Sequence, residues 1–365
     1  MPRVNAFVME SEVLVEPEVS VTTPSQAATI PSSTEQTFVA RIAGELAPQE
    51  MLFIFCGIVF SAVAIIASPR ITQWPQVLLQ VALSFVIIAG ITYWCAVIGT
   101  KGSTGRWPRR IRILYLFPMV LWYFKISGLI SYPLHGHDCD SILIAADKLL
   151  FGVNPTWWLF DHFPHWPGLT EYLMVCYSLF YFLPAALAFE FYSRRAREKA
   201  ESSVVAERQM DQVIFVIIYA FLLSYICYFF LPAIGPRFTL HNFFDLSKDL
   251  PGIWLTEPLR AILNRGEGIL PGMPMTQILQ NVTRDAFPSG HTEMTLCTII
   301  LAFQLRARIR WPILVIGSSL IFATVYLRYH YVIDLVGGAV LAMVALYTWQ
   351  WVRDRLLMLQ ARLVR

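Results

Sequence analysis

The stretch VIFVIIYAFLLSYICYFFL, Val213–Leu231, holds no charged residue and little that is polar. A helix of about 20 apolar residues crosses the hydrocarbon core of a bilayer. No water is available there, so the backbone must satisfy its own hydrogen bonds, and a helix does this within one segment. Seven further runs of the same kind flank it: Met51–Ser68, Val77–Gly99, Ile113–Pro133, Tyr172–Phe191, Thr292–Leu305, Ile313–Tyr329 and Val332–Trp351. Thr292–Leu305 is short and is expected to continue past its apolar core. The predicted fold class is therefore all-α, a polytopic membrane helical bundle of about eight transmembrane helices.

Composition agrees. Of 365 residues, 56% are hydrophobic and only 15% charged, against about 25% charged in a soluble domain. The net charge of +3 points to no class of partner, and no nucleic acid is expected. Six cysteines (Cys56, Cys95, Cys139, Cys176, Cys227, Cys297) fit neither zinc-type spacing nor a disulfide framework. Residues 1–48 are rich in Ser, Thr, Glu, Val and Pro and read as a disordered cytoplasmic tail, without a signal peptide. Thr37–Leu46 is predicted to form a short helix. Two extra transmembrane helices follow over 49–112, a catalytic membrane domain over 113–352, and a basic cytoplasmic tail over 353–365.

Basic residues in alternate connections set the orientation. Lys101, Arg106, Arg109, Arg110 and Arg112, then Arg194, Arg195, Arg197, Lys199 and Arg208, then Arg306, Arg308 and Arg310, then Arg353, Arg355, Arg362 and Arg365 all fall on one side. The positive-inside rule makes that side cytoplasmic, with both termini. The opposite connections hold only Arg70, Lys148, Arg237, Lys248, Arg260, Arg265 and Arg284. All seven histidines (His135, His137, His162, His165, His241, His291, His330) fall in outer loops or at outer helix ends. The outer connection His135–Gly168 is Trp-rich and suits the bilayer surface. Ala233–Gly290 is long and holds a predicted helix near Leu255–Leu263.

Three strings at that outer face carry chemistry. In Asp285-Ala286-Phe287-Pro288-Ser289-Gly290-His291-Thr292, Ser289 suits an N-cap, and the free amides of Gly290 and His291 then face outward at a positive helix end. In Arg328-Tyr329-His330-Tyr331-Val332-Ile333-Asp334, His330 and Asp334 stand four apart, on one face if helical. A carboxylate accepting the Nδ1–H would leave Nε2 as nucleophile. In Pro232-Ala233-Ile234-Gly235-Pro236-Arg237-Phe238, Gly-Pro ends a helix and presents Arg237, suited to phosphate oxygens. Singly, each has an ordinary reading: a capped helix start, a structural His–Asp bond, a snorkelling arginine. Together, two histidines, an orienting Asp and several arginines make a kit for phosphoryl transfer through a phosphohistidine, with no metal and no cofactor required.

These strings resemble the type 2 phosphatidic acid phosphatase superfamily, which also contains vanadium haloperoxidases. Its second motif, Pro-Ser-Gly-His, is matched by Pro288–His291, and the His and Asp that end its third by His330 and Asp334. The resemblance covers roughly residues 114–351 and implies a core of six helices. It also implies His330 as nucleophile, Asp334 as its partner, His291 as general acid and Arg237 as a phosphate ligand. Phe230 stands where the family's first-motif Lys would be and Thr324 where its third-motif Arg would be, so Arg328 is the expected substitute. The His-Tyr-x-x-Asp form, Gly235-Pro236-Arg237 and the run Asp147…Leu150-Phe151-Gly152…Pro155 look like the inositolphosphotransferase branch, which includes inositol phosphorylceramide synthase.

Other candidates are Lys125, inside the third span, as a replacement cation; Arg284 beside the His291 turn, as a phosphate ligand or partner of Asp285; and Ser289 and Gly290, as anion-binding backbone. His135-Gly136-His137-Asp138-Cys139-Asp140 reads as a polar turn more readily than as a metal site. The expected partners are a lipid substrate in the outer leaflet, the bilayer itself, and a second lipid or a polyol as acceptor. A lipid phosphate phosphatase, cleaving phosphatidate or undecaprenyl pyrophosphate, would use the same residues. A transporter is the rival from another class, but the sequence shows none of the repeated halves with broken helices common in transporters, and its charged motifs cluster at one edge.

Overall fold

The structure is a computed structural model that describes residues 38–99, 111–163, 165–197 and 200–363. Most of the expected disordered tail lies outside the described residues, as do Lys101, Arg106, Arg109, Arg110, Lys199 and Arg365. Among the described residues every regular element is a helix. In chain order these are α1 Phe38–Glu45, α2 Pro48–Ile66, α3 Trp74–Gly99, α4 Leu116–His135, α5 Asp140–Phe151, α6 Pro155–His162, α7 Pro167–Ser178, α8 Phe182–Arg197 and α9 Ala200–Cys227. There follow α10 Pro236–Thr239, α11 Leu246–Asp249, α12 Thr256–Gly266, α13 Met275–Asn281, α14 Gly290–Gln304, α15 Arg310–Tyr326 and α16 Val332–Leu363. The short helices expected over Thr37–Leu46 and Leu255–Leu263 are α1 and α12.

Five helices are long and apolar enough to cross a membrane: Pro48–Ile66, Trp74–Ala96, Ile111–His135, Glu201–Cys227 and Val332–Leu363. They make the chain an integral membrane protein. A sixth span results if α7 and α8 are counted together, although they bend by 56°. The straight span expected over Tyr172–Phe191 is thus broken. Pro184, which has no N–H to donate, sits in the first turn of α8 just past the break. Helices also stand at the expected sixth and seventh spans, but α14 and α15 have only 15 and 17 residues. The continuation expected of the sixth does not occur at its far end. Arg306 adopts a left-handed backbone with φ 52°, and Ala307 N–H closes back on Ala302 O at 2.8 Å.

The α9 helix is the hub, packing against α2, α4, α8, α14 and α16. Its buried residues, among them Val213, Val216, Ala220 and Tyr225, join Phe53 and Phe60 of α2, Tyr123 of α4 and Met294 and Leu301 of α14 in the main core. The surface helix α5 packs on α16, and α12 on α7. Everything that carries the chemical motifs hangs from one end of this hub.

Candidate active site

The turn before α14 is built as its sequence suggests. Ser289 is the N-cap, its Oγ accepting from Thr292 N at 3.2 Å. Ser289 N–H donates to Asp334 O at 2.9 Å, which ties this turn to α16. The contact needs a glycine. A Cβ on Gly338 would stand 2.4 Å from Ser289 O.

His330 is placed by the turn that ends α15. Arg328 is left-handed with φ 68°, and Tyr329 and His330 N–H both reach back to Thr324 O, at 2.9 and 3.0 Å. The chain therefore reverses before α16, and His330 precedes that helix. The expectation that His330 and Asp334 share a helical face is corrected to this extent: a turn, not a helix, brings them to 3.4 Å.

Two acids of α5 fix this turn from outside. Asp147 accepts from Val332 N at 2.9 Å and Ile333 N at 2.7 Å, capping α16. Asp140 accepts from Ile234 N at 3.0 Å, Gly235 N at 2.9 Å and Tyr331 Oη at 2.8 Å, so it joins the Gly-Pro-Arg loop to the residue after His330. Burial pushes both carboxyls above their usual pKa, against the pull of these donors.

The two expected histidines meet. His291 Nδ1 lies 3.2 Å from His330 Nε2, with ring centroids 5.3 Å apart. His330 Nδ1 lies 2.9 Å from Ala286 O. A carbonyl only accepts, so Nδ1 carries the hydrogen and Nε2 keeps its lone pair. The nearer acceptor is thus Ala286 O rather than Asp334, whose Oδ2 takes Tyr331 N–H at 2.8 Å. Burial lowers the His330 pKa to about 4, with Asp285 and the Ala286 carbonyl opposing and Arg237 adding to the fall.

Aromatic rings wall the pair. Tyr177 stacks on His291 at 4.6 Å, Tyr329 on Tyr177 at 4.4 Å, and the Arg237 guanidinium on Tyr329 at 4.4 Å. Phe180 covers the other side of His291 at 4.2 Å. Arg237 is buried, paired with Glu267 and 3.5 Å from Asn264 Oδ1, and its Nε has no partner. Half-buried Asp285 accepts from Thr283 Oγ1 at 2.7 Å, and desolvation and Glu267 raise its pKa.

The other expected cations face elsewhere. The Arg284 guanidinium is shared between Asp138, at 3.0 Å, and the carbonyls of Val282 and Leu279. Arg328 pairs with Asp249 at 2.8 Å and lies over Phe160. Lys125 Nζ donates to Gly266 O at the C-terminus of α12, where a cation suits the helix dipole. The next residue is Glu267, so Lys125 supports the loop that reaches Arg237.

The members of the His135–Asp140 run point apart. His135 Nε2 lies 2.6 Å from Phe229 O, Asp138 pairs with Arg284, and Asp140 holds the Ile234–Gly235 amides. Among the described residues no group of three His, Cys, Asp or Glu side chains is placed to hold a metal ion. Sequence reasoning named Asp140 and Asp147 only within a polar turn and a branch-like run and missed their positioning role, and it missed Glu267 altogether. Asp140 and Asp147 stand seven apart, two turns along one face of α5, a signal that could have been read. Glu267 lies in an irregular turn and gave no such signal.

The PAP2 superfamily matches residues 141–348, from the first turn of α5 to well into α16. No curated protein and no solved structure matches. The matched segment is more than half of the 365 residues and contains α14, α15 and both histidine turns. The chain belongs to the PAP2 superfamily and is thereby a phosphatase- or phosphotransferase-type enzyme of the membrane.

Proposed function

We propose that the protein cleaves a lipid phosphate or phospholipid head-group ester through a phosphohistidine on His330. The observation that carries this is the 3.2 Å contact between His330 Nε2 and His291 Nδ1, with His330 Nδ1 tied down by Ala286 O. Only one nitrogen of His330 is free to attack, and it faces the second imidazole.

His330 Nε2 attacks phosphorus, and the bond from phosphorus to the alcohol oxygen breaks. His291, carrying a second proton, delivers it to that oxygen. An acceptor hydroxyl then attacks the phosphohistidine, His291 takes its proton, and Nε2 leaves restored. Nucleophile, phosphorus and leaving oxygen in line need roughly 5–6 Å between the two nitrogens, so the rings must part by roughly 2–3 Å to admit the group. Asp334 and Ala286 O hold the His330 tautomer, and the unpartnered Nε of Arg237 is a donor for a phosphate oxygen. Gly290 and His291 N–H, at the α14 N-terminus, suit another. Arg284 and Arg328 are held away from the histidines by Asp138 and Asp249, although Arg328 Nη2 is also without a partner.

In this reading the chain spans the bilayer about eight times, α14 and α15 included, with a six-helix core and two additional helices, α2 and α3. The site opens on the extracytoplasmic side, both termini are cytoplasmic, and the lipid enters from the outer leaflet. Transfer to a second lipid or a polyol, as in inositolphosphotransferases, is the proposed second step, and hydrolysis is its rival on the same residues. The test is purified protein with labelled lipid phosphates and inositol lipids, following free phosphate beside new lipid products. His330→Ala and His291→Ala should abolish turnover without loss of folding. Turnover retained in either would reject the phosphohistidine.

A further inference from the structure

An apolar groove of about 610 Å³ lies between α4, α8 and α9, lined by Phe117 and Val120, Ala185 and Ala188, and Met210 and Ile214. We infer that it holds a hydrocarbon tail of the lipid whose head group reaches His291 and His330. This deepens the proposed function and rests on it for the head group alone.

Three observations argue for that occupant. The first is continuity. The groove begins at Tyr181 and Phe221, whose rings stack at 5.9 Å. Phe180, which covers His291 at 4.2 Å, touches both, at 4.6 Å from Tyr181 and 5.8 Å from Phe221. Between the histidines and the groove stand only the Phe180 ring and the Tyr181–Phe221 edge, so the Phe180 ring must turn aside for a tail to pass.

The second is depth. Ser224 of α9 is hydrogen-bonded to Glu293 of α14, and Tyr228 Oη meets Gly290, so this end of α9 lies level with His291. Phe221 is one turn further in, and the groove runs from there to Met210, roughly 16 Å at 1.5 Å per residue. A head group at the histidines would therefore hang a tail through more than half of the ~30 Å hydrocarbon thickness. Tails of ordinary membrane lipids have that reach.

The third is shape. The α8 wall is cut back where Ala185 and Ala188 stand three apart on one helical face, between the larger Tyr181 and Tyr192. Hydrocarbon gains no hydrophobic energy on moving from bilayer to groove, since lipid tails are as apolar as the lining. Its effect there is orientation: a seated tail fixes the azimuth of the phosphorus before His330.

The test is photolabelling of the full chain in detergent micelles with a phosphatidate bearing a diazirine at the tail end. Label is expected on residues 181–192 and 210–221. Ala188→Trp, which fills the groove, should cut it roughly fivefold or more. Val315→Trp, on an exposed face of α15, should leave it unchanged. Label that is spread over exposed helix faces and insensitive to Ala188→Trp would overturn the inference, marking the groove as ordinary lipid-facing surface. Phosphate release is followed in the same samples. Specific groove label with no turnover of any lipid phosphate would reject the proposed chemistry and leave the groove standing.

Discussion

Replacing Asp147 by Ala should damage catalysis from a distance, because Asp147 touches neither histidine yet holds the helix start that follows His330. Its carboxylate accepts Val332 N–H at 2.9 Å and Ile333 N–H at 2.7 Å, and its side chain is 1% exposed. Removing it strands both donors. A buried orphan donor costs about 1–3 kcal/mol, and loss of a helix cap about 0.5–2 kcal/mol. Val332 and Ile333 are only half-buried, so water recovers part of this, and about 2–3 kcal/mol is expected. The larger effect is geometric. Tyr331 and Asp334 both brace His330 from this turn, and a drift of about 1 Å in a reacting group costs roughly a hundredfold in rate. The assay is steady-state turnover of a lipid phosphate beside thermal unfolding in the same detergent. kcat should fall about a hundredfold while KM holds, because the groove and the aromatic wall are untouched. Asp147→Asn keeps one acceptor oxygen but turns an amide N–H₂ against a backbone N–H, so an intermediate loss is expected. Asp147→Ala that loses stability but keeps kcat within about threefold would refute the positioning argument.

Three other outcomes follow from the same geometry. Gly235→Ala should destabilise by about 2 kcal/mol or more and lower turnover, since φ is 89° and a Cβ would stand 2.5 Å from Tyr329 O. Unfolding midpoint and rate, measured together, check it. Glu267→Gln weakens the hold on Arg237 and should lower the inhibition constant of inorganic phosphate by about fivefold to tenfold if that guanidinium binds the substrate phosphoryl. An unchanged constant would remove Arg237 from the site. The third concerns pH. His330 and His241 have folded pKa values lowered to about 4 and about 3, mainly by burial. The unfolded chain, with histidines near 6.5, takes up their protons first as pH falls. Stability should therefore be full above about pH 6.5 and decline from there toward pH 4. A flat unfolding midpoint across that window would contradict the buried neutral state of both rings.

The membrane helices and the histidine pair were legible because each rests on a local signal. Twenty apolar residues have one stable form in lipid, and Pro-Ser-Gly-His is a turn, a cap and a functional group in consecutive positions. The pairing of the arginines was not legible, because nothing local says which way a guanidinium turns. Arg284 and Arg328 stand next to the histidine turns in sequence, but Asp138 and Asp249, far away along the chain, have claimed them. The bend between α7 and α8 was hidden for a similar reason: hydropathy averages over Pro184 and reports only that the segment is apolar. The supporting acids escaped because a carboxylate on a surface helix looks solvated until its partner turn is known.

Those acids share a logic that bears on the substrate. Asp147 caps α16, Glu190 accepts Arg308 and Ile309 N–H at the start of α15, and Glu171 accepts four backbone N–H groups, Ile253 through Thr256, at the start of α12. Helix starts leave their first N–H groups without intrahelical partners, and at these three a negative group from a neighbouring element serves them. The start of α14 is treated differently. The neutral Ser289 hydroxyl is the side-chain acceptor there, taking Thr292 N–H at 3.2 Å and the Thr292 hydroxyl at 3.1 Å. Gly290 and His291 are left at the positive end of a helix, beside the His330 imidazole and within the electrostatic reach of Arg237. At α14 the carboxylate near the helix start is Glu293 of its own first turn, which is buried and accepts from Ser224 Oγ rather than from the first N–H groups. A phosphate oxygen would make the contacts there that Asp147, Glu190 and Glu171 make elsewhere.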